Sequence, residues 1–163
     1  FVHIPPTYSI ITNIDREHMD FYKSMDDLKS YVNQFIEKVP SFGKSFICID
    51  DKVNKDLVKK LKNRNFYTYG TNPKANFHIK KVKHNIKFTE FDLQVKVQNK
   101  KKLYIKKLRT PLLGIHNVRN SVAAAAVALT IGISILDIKK KSERTRLDST
   151  ECWSNLFLFR VLL

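Results

Sequence analysis

The strongest constraint on the fold is a regular alternation of apolar runs and amphipathic segments in the first half of the chain. Patterns typical of strands and helices follow one another as strand 8–12, helix 28–39, strand 46–49, helix 53–61 and strand 66–69. Ser24, followed by Asp27 three residues later, forms a helix-start signal before the first of these helices. Strands that alternate with single helices at this spacing are typical of βαβ units. The pattern therefore predicts an α/β fold with a parallel sheet flanked by helices.

The hydropathy pattern changes between Ala75 and Leu108, where apolar and polar residues largely alternate. Alternation with period two predicts three antiparallel strands, and we expect them to add a small antiparallel sheet to the parallel one. An alanine-rich segment over 121–131 follows and stops at Gly132. Because this segment is apolar on nearly all sides, we expect a helix packed tightly inside the domain. A further short helix is expected to start within 133–138.

The length of 163 residues fits a single domain, and the charge of the chain narrows the functions to consider. Thirty Lys and Arg against fifteen Asp and Glu give a formal net charge of +15. A polyanionic partner is one interpretation, but a general lysine bias would look the same. The sequence has no aromatic RNA-binding motif, zinc-finger spacing or helix-turn-helix signature. We therefore expect no specific recognition of nucleic acid.

Cysteine spacing and hydropathy bear on the compartment. Cys48 and Cys152 lie far apart, without the spacing of a zinc site or a disulfide framework, which favours a reducing environment. The sequence shows no signal-peptide pattern and no apolar run of the ~18 to 20 residues that span a bilayer. We expect a cytoplasmic protein with no membrane partner. Because the chain opens at Phe1 and not at methionine, we also expect it to be part of a longer protein.

Three motifs carry most of the functional signal. They are TNIDREHMDFY over 12–22, CIDD over 48–51 together with TYG over 68–70, and GIHNVRN over 114–120. In order and spacing they resemble the motifs of the Mur ligase family, the ATP-dependent enzymes that add amino acids in peptidoglycan synthesis. The resemblance covers roughly residues 6–140. It implies most of the central ATP-binding domain of that family.

Within this family, the motifs are most similar to those of members that join L-alanine to UDP-N-acetylmuramate. The resemblance implies ATP and Mg²⁺ as cofactors, an acyl phosphate formed on the lactyl carboxylate, and attack on it by the amine of L-alanine. It also implies N- and C-terminal domains of the same enzyme as partners of this domain. The alternatives are an inactive ligase remnant that at most binds nucleotide weakly, and a basic nucleic-acid-binding module.

His18 is the candidate metal ligand. It lies in a polar loop after the first predicted strand, at the edge where open α/β sheets bind ligands. A neutral imidazole at such a place can bind a divalent cation. From the residue alone, a surface histidine is the commoner interpretation. The family resemblance reverses this preference, because the matching histidine helps to hold one of two Mg²⁺ ions.

His116, Asn117 and Asn120 are the candidate nucleotide-binding residues, at the start of the alanine-rich helix. An asparagine amide offers the donor and the acceptor that an adenine edge requires, although helix capping is the commoner role at such positions. The resemblance implies that Asn120 hydrogen-bonds adenine, with His116 and Asn117 close by. Asn13 is a candidate for substrate positioning, with a cap at the strand end as its alternative.

The phosphate loop of the family is not found within the chain. The tripeptide GKS at 43–45 does not supply it, because the motif G-x-x-x-x-G-K-S/T requires glycine where Lys38 stands and a helix afterwards. The resemblance implies that the phosphate loop and an acidic Mg²⁺ ligand both precede Phe1.

The end of the chain also departs from the family pattern. After Lys140 the sequence no longer resembles the family, which a reading-frame shift or the end of a gene fragment would explain. We therefore predict a partial central domain over 1–140, truncated at both ends, and a divergent tail over 141–163.

Overall fold

The structure, a computed structural model, describes residues 6–15, 22–62, 65–98 and 101–144. Within these residues the chain forms six strands and four helices. In chain order they are β1 (Tyr8–Ile11), α1 (Met25–Glu37), β2 (Lys44–Cys48), α2 (Lys52–Lys60), β3 (Phe66–Gly70), β4 (Phe77–His84), β5 (Thr89–Val95), β6 (Leu103–Thr110), α3 (Ile115–Thr130) and α4 (Ile135–Arg144). Strand and helix alternate through β3, as the sequence predicts, and α3 is the alanine-rich helix.

All six strands belong to one sheet, in the order β1-β2-β3-β4-β5-β6. The first three pairs of neighbours are parallel, whereas β4–β5 and β5–β6 are antiparallel. The predicted α/β class and the three antiparallel strands are confirmed. The structure differs from the expectation in one respect, because the antiparallel strands continue the parallel sheet and do not form a second one.

The connection between β3 and β4 explains this continuity. It contains only residues 71–76, too few for a crossover helix that would return the chain to the start of β3. β4 therefore begins level with the end of β3, where Tyr69 pairs with Phe77 and Gly70 pairs with His78. As a result, β4 and its antiparallel neighbours extend beyond the carboxyl edge of β1–β3.

Helices cover both faces of the parallel part of the sheet. Because side chains alternate along each strand, neighbouring residues point into the cores on opposite faces. Phe46 and Ile47 are both fully buried, yet they belong to two different cores. Ile47 packs with α1 and α2, whereas Phe46 packs on the face that α3 covers. Val118, Val122 and Ala126 of α3 are also fully buried. The predicted tight packing of the alanine-rich helix is confirmed.

Local capping explains where α1 and α2 begin. The Ser24 hydroxyl oxygen accepts a hydrogen bond from the Asp27 backbone N–H at 3.1 Å. An Asp51 carboxylate oxygen likewise accepts from the Asn54 backbone N–H at 2.8 Å. Each cap supplies a partner for a backbone donor that has none inside its helix. α1 therefore begins directly after the helix-start signal at Ser24, three residues before the predicted range, and α2 begins one residue before its predicted range.

The tripeptide at 43–45 has a structural role. Lys44 begins β2, and its backbone N–H donates to the Thr7 carbonyl oxygen at 3.1 Å. A Cβ atom on Gly43 would lie 1.9 Å from that same oxygen, so only glycine allows the two segments to approach this closely. The observation agrees with the exclusion of this tripeptide as a phosphate loop.

The last described helix extends past the predicted domain boundary. α4 continues beyond Lys140 to Arg144, so the boundary between the predicted central domain and tail falls inside a helix. Residues 145–163, most of the predicted tail, lie outside the described residues. In the part of the chain that the structure describes, no helix has the length and apolar character needed to cross a membrane.

Candidate nucleotide site at the carboxyl edge of the sheet

The carboxyl ends of β1, β2 and β3 meet at one edge of the sheet, where open α/β sheets bind ligands. Asn13 follows β1, Asp50 follows β2 and Thr71 follows β3. α3 reaches the same edge, because Arg119 in its second turn contacts Asp50. The edge therefore brings together polar residues from elements that are far apart in the sequence.

The first turns of α3 bring together the three predicted nucleotide-binding residues. His116 and Asn120 are exposed and, being four residues apart, lie on one side of the helix. The Asn117 amide nitrogen donates a hydrogen bond to the Leu113 carbonyl oxygen at 2.7 Å. This bond orients the Asn117 side chain toward the loop that precedes the helix. Their binding of nucleotide stays a prediction.

Neither asparagine caps α3. The cap position is Gly114, whose φ of +96° favours glycine, and no side chain makes a cap hydrogen bond there. The capping alternative is therefore not the use that the structure makes of Asn117 and Asn120.

Two further candidates follow β1. Asn13 is exposed, and its amide nitrogen donates a hydrogen bond to the Asp15 carboxylate within the same loop. Its role in substrate positioning stays a prediction. His18 lies outside the described residues, so its metal role also stays a prediction. Among the residues that the structure describes, no group of three or more His, Cys, Asp or Glu side chains could hold a metal ion.

Asp50 ties the ends of β2 and β3 to α3. Its Oδ2 accepts hydrogen bonds from Arg119 Nε at 2.8 Å and from the Thr71 backbone N–H at 2.9 Å. Its Oδ1 accepts from the Asn72 backbone N–H at 3.0 Å. Only 6% of the Asp50 side chain and 27% of the Arg119 side chain are exposed. Both residues belong to the sequence motifs, but the sequence pattern predicts no role for either of them in the functional site.

Burial and hydrogen bonding change the pKa of Asp50 in opposite directions. Burial is the largest single effect and raises the pKa, because the charged carboxylate loses hydration. Hydrogen bonds from Thr71, Arg119 and Asn72 stabilise the charged form, and together they outweigh burial. The pKa of Asp50 therefore lies below its ordinary value. At neutral pH the residue is ionised and forms an ion pair with the Arg119 guanidinium.

Gly70 makes room for this carboxylate. Its φ is +142°, and a Cβ atom at this position would lie 2.5 Å from Asp50 Oδ1. Any other residue would therefore displace the carboxylate or the turn that follows β3. The glycine of the TYG motif is thus explained by a contact with the CIDD motif, which only the folded chain reveals.

Comparison with known proteins places these features in a family. The Mur ligase middle domain family matches residues 1–128. The UDP-N-acetylmuramate–L-alanine ligase of Pelagibacter ubique is 64% identical over 140 residues, which cover 86% of this chain and 30% of that protein. The ligase of the same name from Brucella ovis is 33% identical over an alignment of 164 residues, and the alignment covers 98% of this chain and 35% of that protein. The chain therefore spans about a third of the length of these relatives.

Mur ligases of known structure share this fold. MurF of Acinetobacter baumannii has a TM-score of 0.70 at 21% identity, covering 90% of this chain and 31% of that chain. The UDP-N-acetylmuramate–alanine ligase MurC of Thermotoga maritima has a TM-score of 0.69 at 18% identity, covering 89% and 30%. At these identities the likeness concerns the fold alone. Because the middle-domain match covers most of the chain and solved Mur ligases share its fold, this chain belongs to the Mur ligase family.

Proposed function

We propose that this chain is part of an ATP-dependent ligase that joins L-alanine to UDP-N-acetylmuramate in peptidoglycan synthesis. The observation that carries the proposal is the 64% identity over 140 residues to a ligase named for that reaction. The polar carboxyl edge of the sheet supports it, because this is where α/β domains bind nucleotides. The N- and C-terminal domains of the same enzyme are the proposed partners, and the proposed location is the cytoplasm.

In the proposed reaction, a lactyl carboxylate oxygen of UDP-N-acetylmuramate attacks the γ-phosphorus of ATP. This step forms an acyl phosphate and releases ADP. The amine of L-alanine then attacks the acyl carbon, loses a proton and expels inorganic phosphate, which leaves an amide. Catalysis of such transfers depends mainly on positioning and on stabilisation of charge. The proposed contribution of this domain is to hold the nucleotide at the edge of the sheet.

We assign adenine binding to Asn120, with His116 and Asn117 beside it. The exposed Asn120 amide can donate one hydrogen bond and accept another, as an adenine edge requires. His116 lies on the same side of α3 and offers a ring nitrogen. No side chain caps the start of α3, and Asn117 donates to the Leu113 carbonyl oxygen of the preceding loop.

The assignments to Mg²⁺ and substrate rest on the family resemblance. His18 is the proposed metal ligand, and Asn13 is proposed to position the substrate. When bound, Mg²⁺ would neutralise charge on the transferred phosphoryl group. The described residues offer no three-ligand group for the ion, so no step of the mechanism is derived through it.

A chimera tests the proposed function. The segment of the Pelagibacter ubique ligase that matches this chain would be replaced with the corresponding residues of this chain. We expect phosphate release that requires both UDP-N-acetylmuramate and L-alanine. The isolated 163-residue chain should show none, because it spans about a third of the relatives' length and positioning by the remaining parts is absent.

Matched variants of the chimera separate the alternatives. Asn120→Ala should raise the KM for ATP about tenfold, the effect of losing one hydrogen bond to a buried base. Lys140→Ala, on an exposed position of α4, should leave it unchanged. A chimera that folds by circular dichroism but releases no phosphate would favour the inactive remnant. Sequence-selective binding of nucleic acid that survives moderate salt would favour the basic module.

A further inference from the structure

The helix that carries the proposed adenine-binding residues, α3, buries a face made of small side chains. Its buried face consists largely of alanine and valine, including Val118, Val122, Ala123, Ala126 and Val127. Small side chains of this kind project little from the helix, so they interlock with the sheet less deeply than large side chains would. Its first turn also lacks a side-chain cap. A directed polar contact near this turn therefore adds to what packing alone defines of its orientation.

A directed polar contact lies one helical position from the proposed site. Arg119 precedes Asn120 in the chain, and its Nε donates to Asp50 Oδ2 at 2.8 Å. Asp50 is in turn held by the backbone N–H groups of Thr71 and Asn72. The Asp50 side chain that binds Arg119 is therefore itself held in place by the backbone that follows β3.

We propose that the Asp50–Arg119 ion pair is a positioning device, which sets the orientation of the first two turns of α3 so that Asn120 and His116 face a bound nucleotide. The inference rests on the proposed function, since it concerns the same site. Buried ion pairs are weak sources of stability, and setting register is their best supported use. Gly70 supports this assignment, because the chain leaves room for the Asp50 carboxylate at a position where any Cβ would exclude it.

The test compares two single-charge changes in the 163-residue chain. Asp50→Asn keeps the side-chain shape but has one acceptor oxygen for three donors, so at least one donor faces the amide nitrogen. Glu90→Gln is the matched control, because Glu90 Oε2 accepts from Arg109 Nε at 3.0 Å between β5 and β6. Arg119→Lys keeps the charge of the pair with a different donor geometry.

The probe is adenosine, titrated into isotope-labelled protein and followed by two-dimensional NMR. We expect Asp50→Asn to weaken binding about tenfold, the size of losing one hydrogen bond to the base when Asn120 no longer faces the nucleotide. Glu90→Gln should bind as the unaltered chain does, and Arg119→Lys should retain part of the affinity. Unaltered adenosine affinity in a folded Asp50→Asn variant would overturn the inference.

Amide hydrogen exchange distinguishes this failure from failure of the proposed function. If the unaltered chain does not bind adenosine, the nucleotide proposal fails for this chain. The positioning inference then depends on the exchange rates of the Val118, Arg119 and Asn120 amides. Asp50→Asn should accelerate these amides selectively, whereas Glu90→Gln should not. Equal rates in both variants would overturn the inference, because the orientation of the turn would not depend on Asp50.

Discussion

The two ends of α3 are held in different ways. Near its start, Arg119 is bound through Asp50 to the backbone that follows β3. Near its end, α3 faces α4 across an apolar cavity of about 180 Å³. The cavity is lined by Ala124, Ala125 and Ala128 of α3 and by Ile138 and Ser142 of α4, among other residues. One end is defined by directed hydrogen bonds, and the other borders an apolar pocket that is partly open to solvent.

The difference separates two requirements on a single helix. The end beside the candidate site needs a defined orientation, which hydrogen bonds to a buried carboxylate provide. The far end needs only apolar contact, and one buried residue there, Ser142, is polar although the pocket that it lines is apolar. Substitutions near the start of α3 should therefore lower the free energy of unfolding by more than substitutions near its end can raise it.

The largest effect is expected from Gly70→Ala. The new Cβ would collide with the Asp50 carboxylate and would also strain a backbone at φ +142°, which we expect to cost about 3 kcal/mol of unfolding free energy. Gly132→Ala is the matched control, because its φ is +90° but nothing lies within 4 Å of the new Cβ. It should cost only about 1 kcal/mol. Urea unfolding of both variants checks this, and equal losses would show that the contact with Asp50 is unimportant.

An intermediate effect is expected from Asp50→Asn. At neutral pH we expect a loss of about 2 kcal/mol, because the Arg119 charge and a backbone donor lose their acceptor. The pKa of Asp50 is lowered in the folded protein, so its ionisation stabilises the fold above the unfolded pKa of ~3.9. This contribution is lost as the pH falls through the folded pKa.

The pH dependence of stability tests whether the charge of Asp50 causes this loss. The stability difference between the unaltered chain and Asp50→Asn should be constant near neutral pH and should narrow below about pH 4. Urea unfolding at several pH values measures it. Glu90→Gln should change stability by less than about 0.5 kcal/mol, because its ion pair with Arg109 is partly exposed. A difference for Asp50→Asn that persists at low pH would mean that packing, and not charge, holds the pair.

The smallest effect is expected at the far end of α3. Ser142→Leu should place apolar atoms in the cavity and raise stability by about 1 kcal/mol. Lys140→Leu on the same helix is the control, because residue 140 is exposed and should change stability by less than about 0.5 kcal/mol. Thermal unfolding followed by circular dichroism compares them. A lower melting temperature for Ser142→Leu would show that the cavity cannot accept the side chain without strain.

Sequence patterns determined the elements of this fold that depend on neighbours in the chain. The caps at Ser24 and Asp51, the alternation of strands and helices, and the burial of the alanine-rich helix all follow from residues within one or two turns of each other. Such signals are local, so they predict helices and strands without knowledge of the topology. The same is true of the placement of His116, Asn117 and Asn120 together at one helix start.

Only the tertiary structure decided which distant residues meet. The continuous sheet follows from the short link after β3, which makes β4 start at the end of its neighbour. Asp50 and Arg119 are 69 positions apart, and their contact depends on how α3 crosses the sheet. No local periodicity encodes such a contact, because it depends on the summed geometry of every element between the two residues. The same reason explains why Gly70 looks like an ordinary turn glycine until the Asp50 carboxylate is placed beside it.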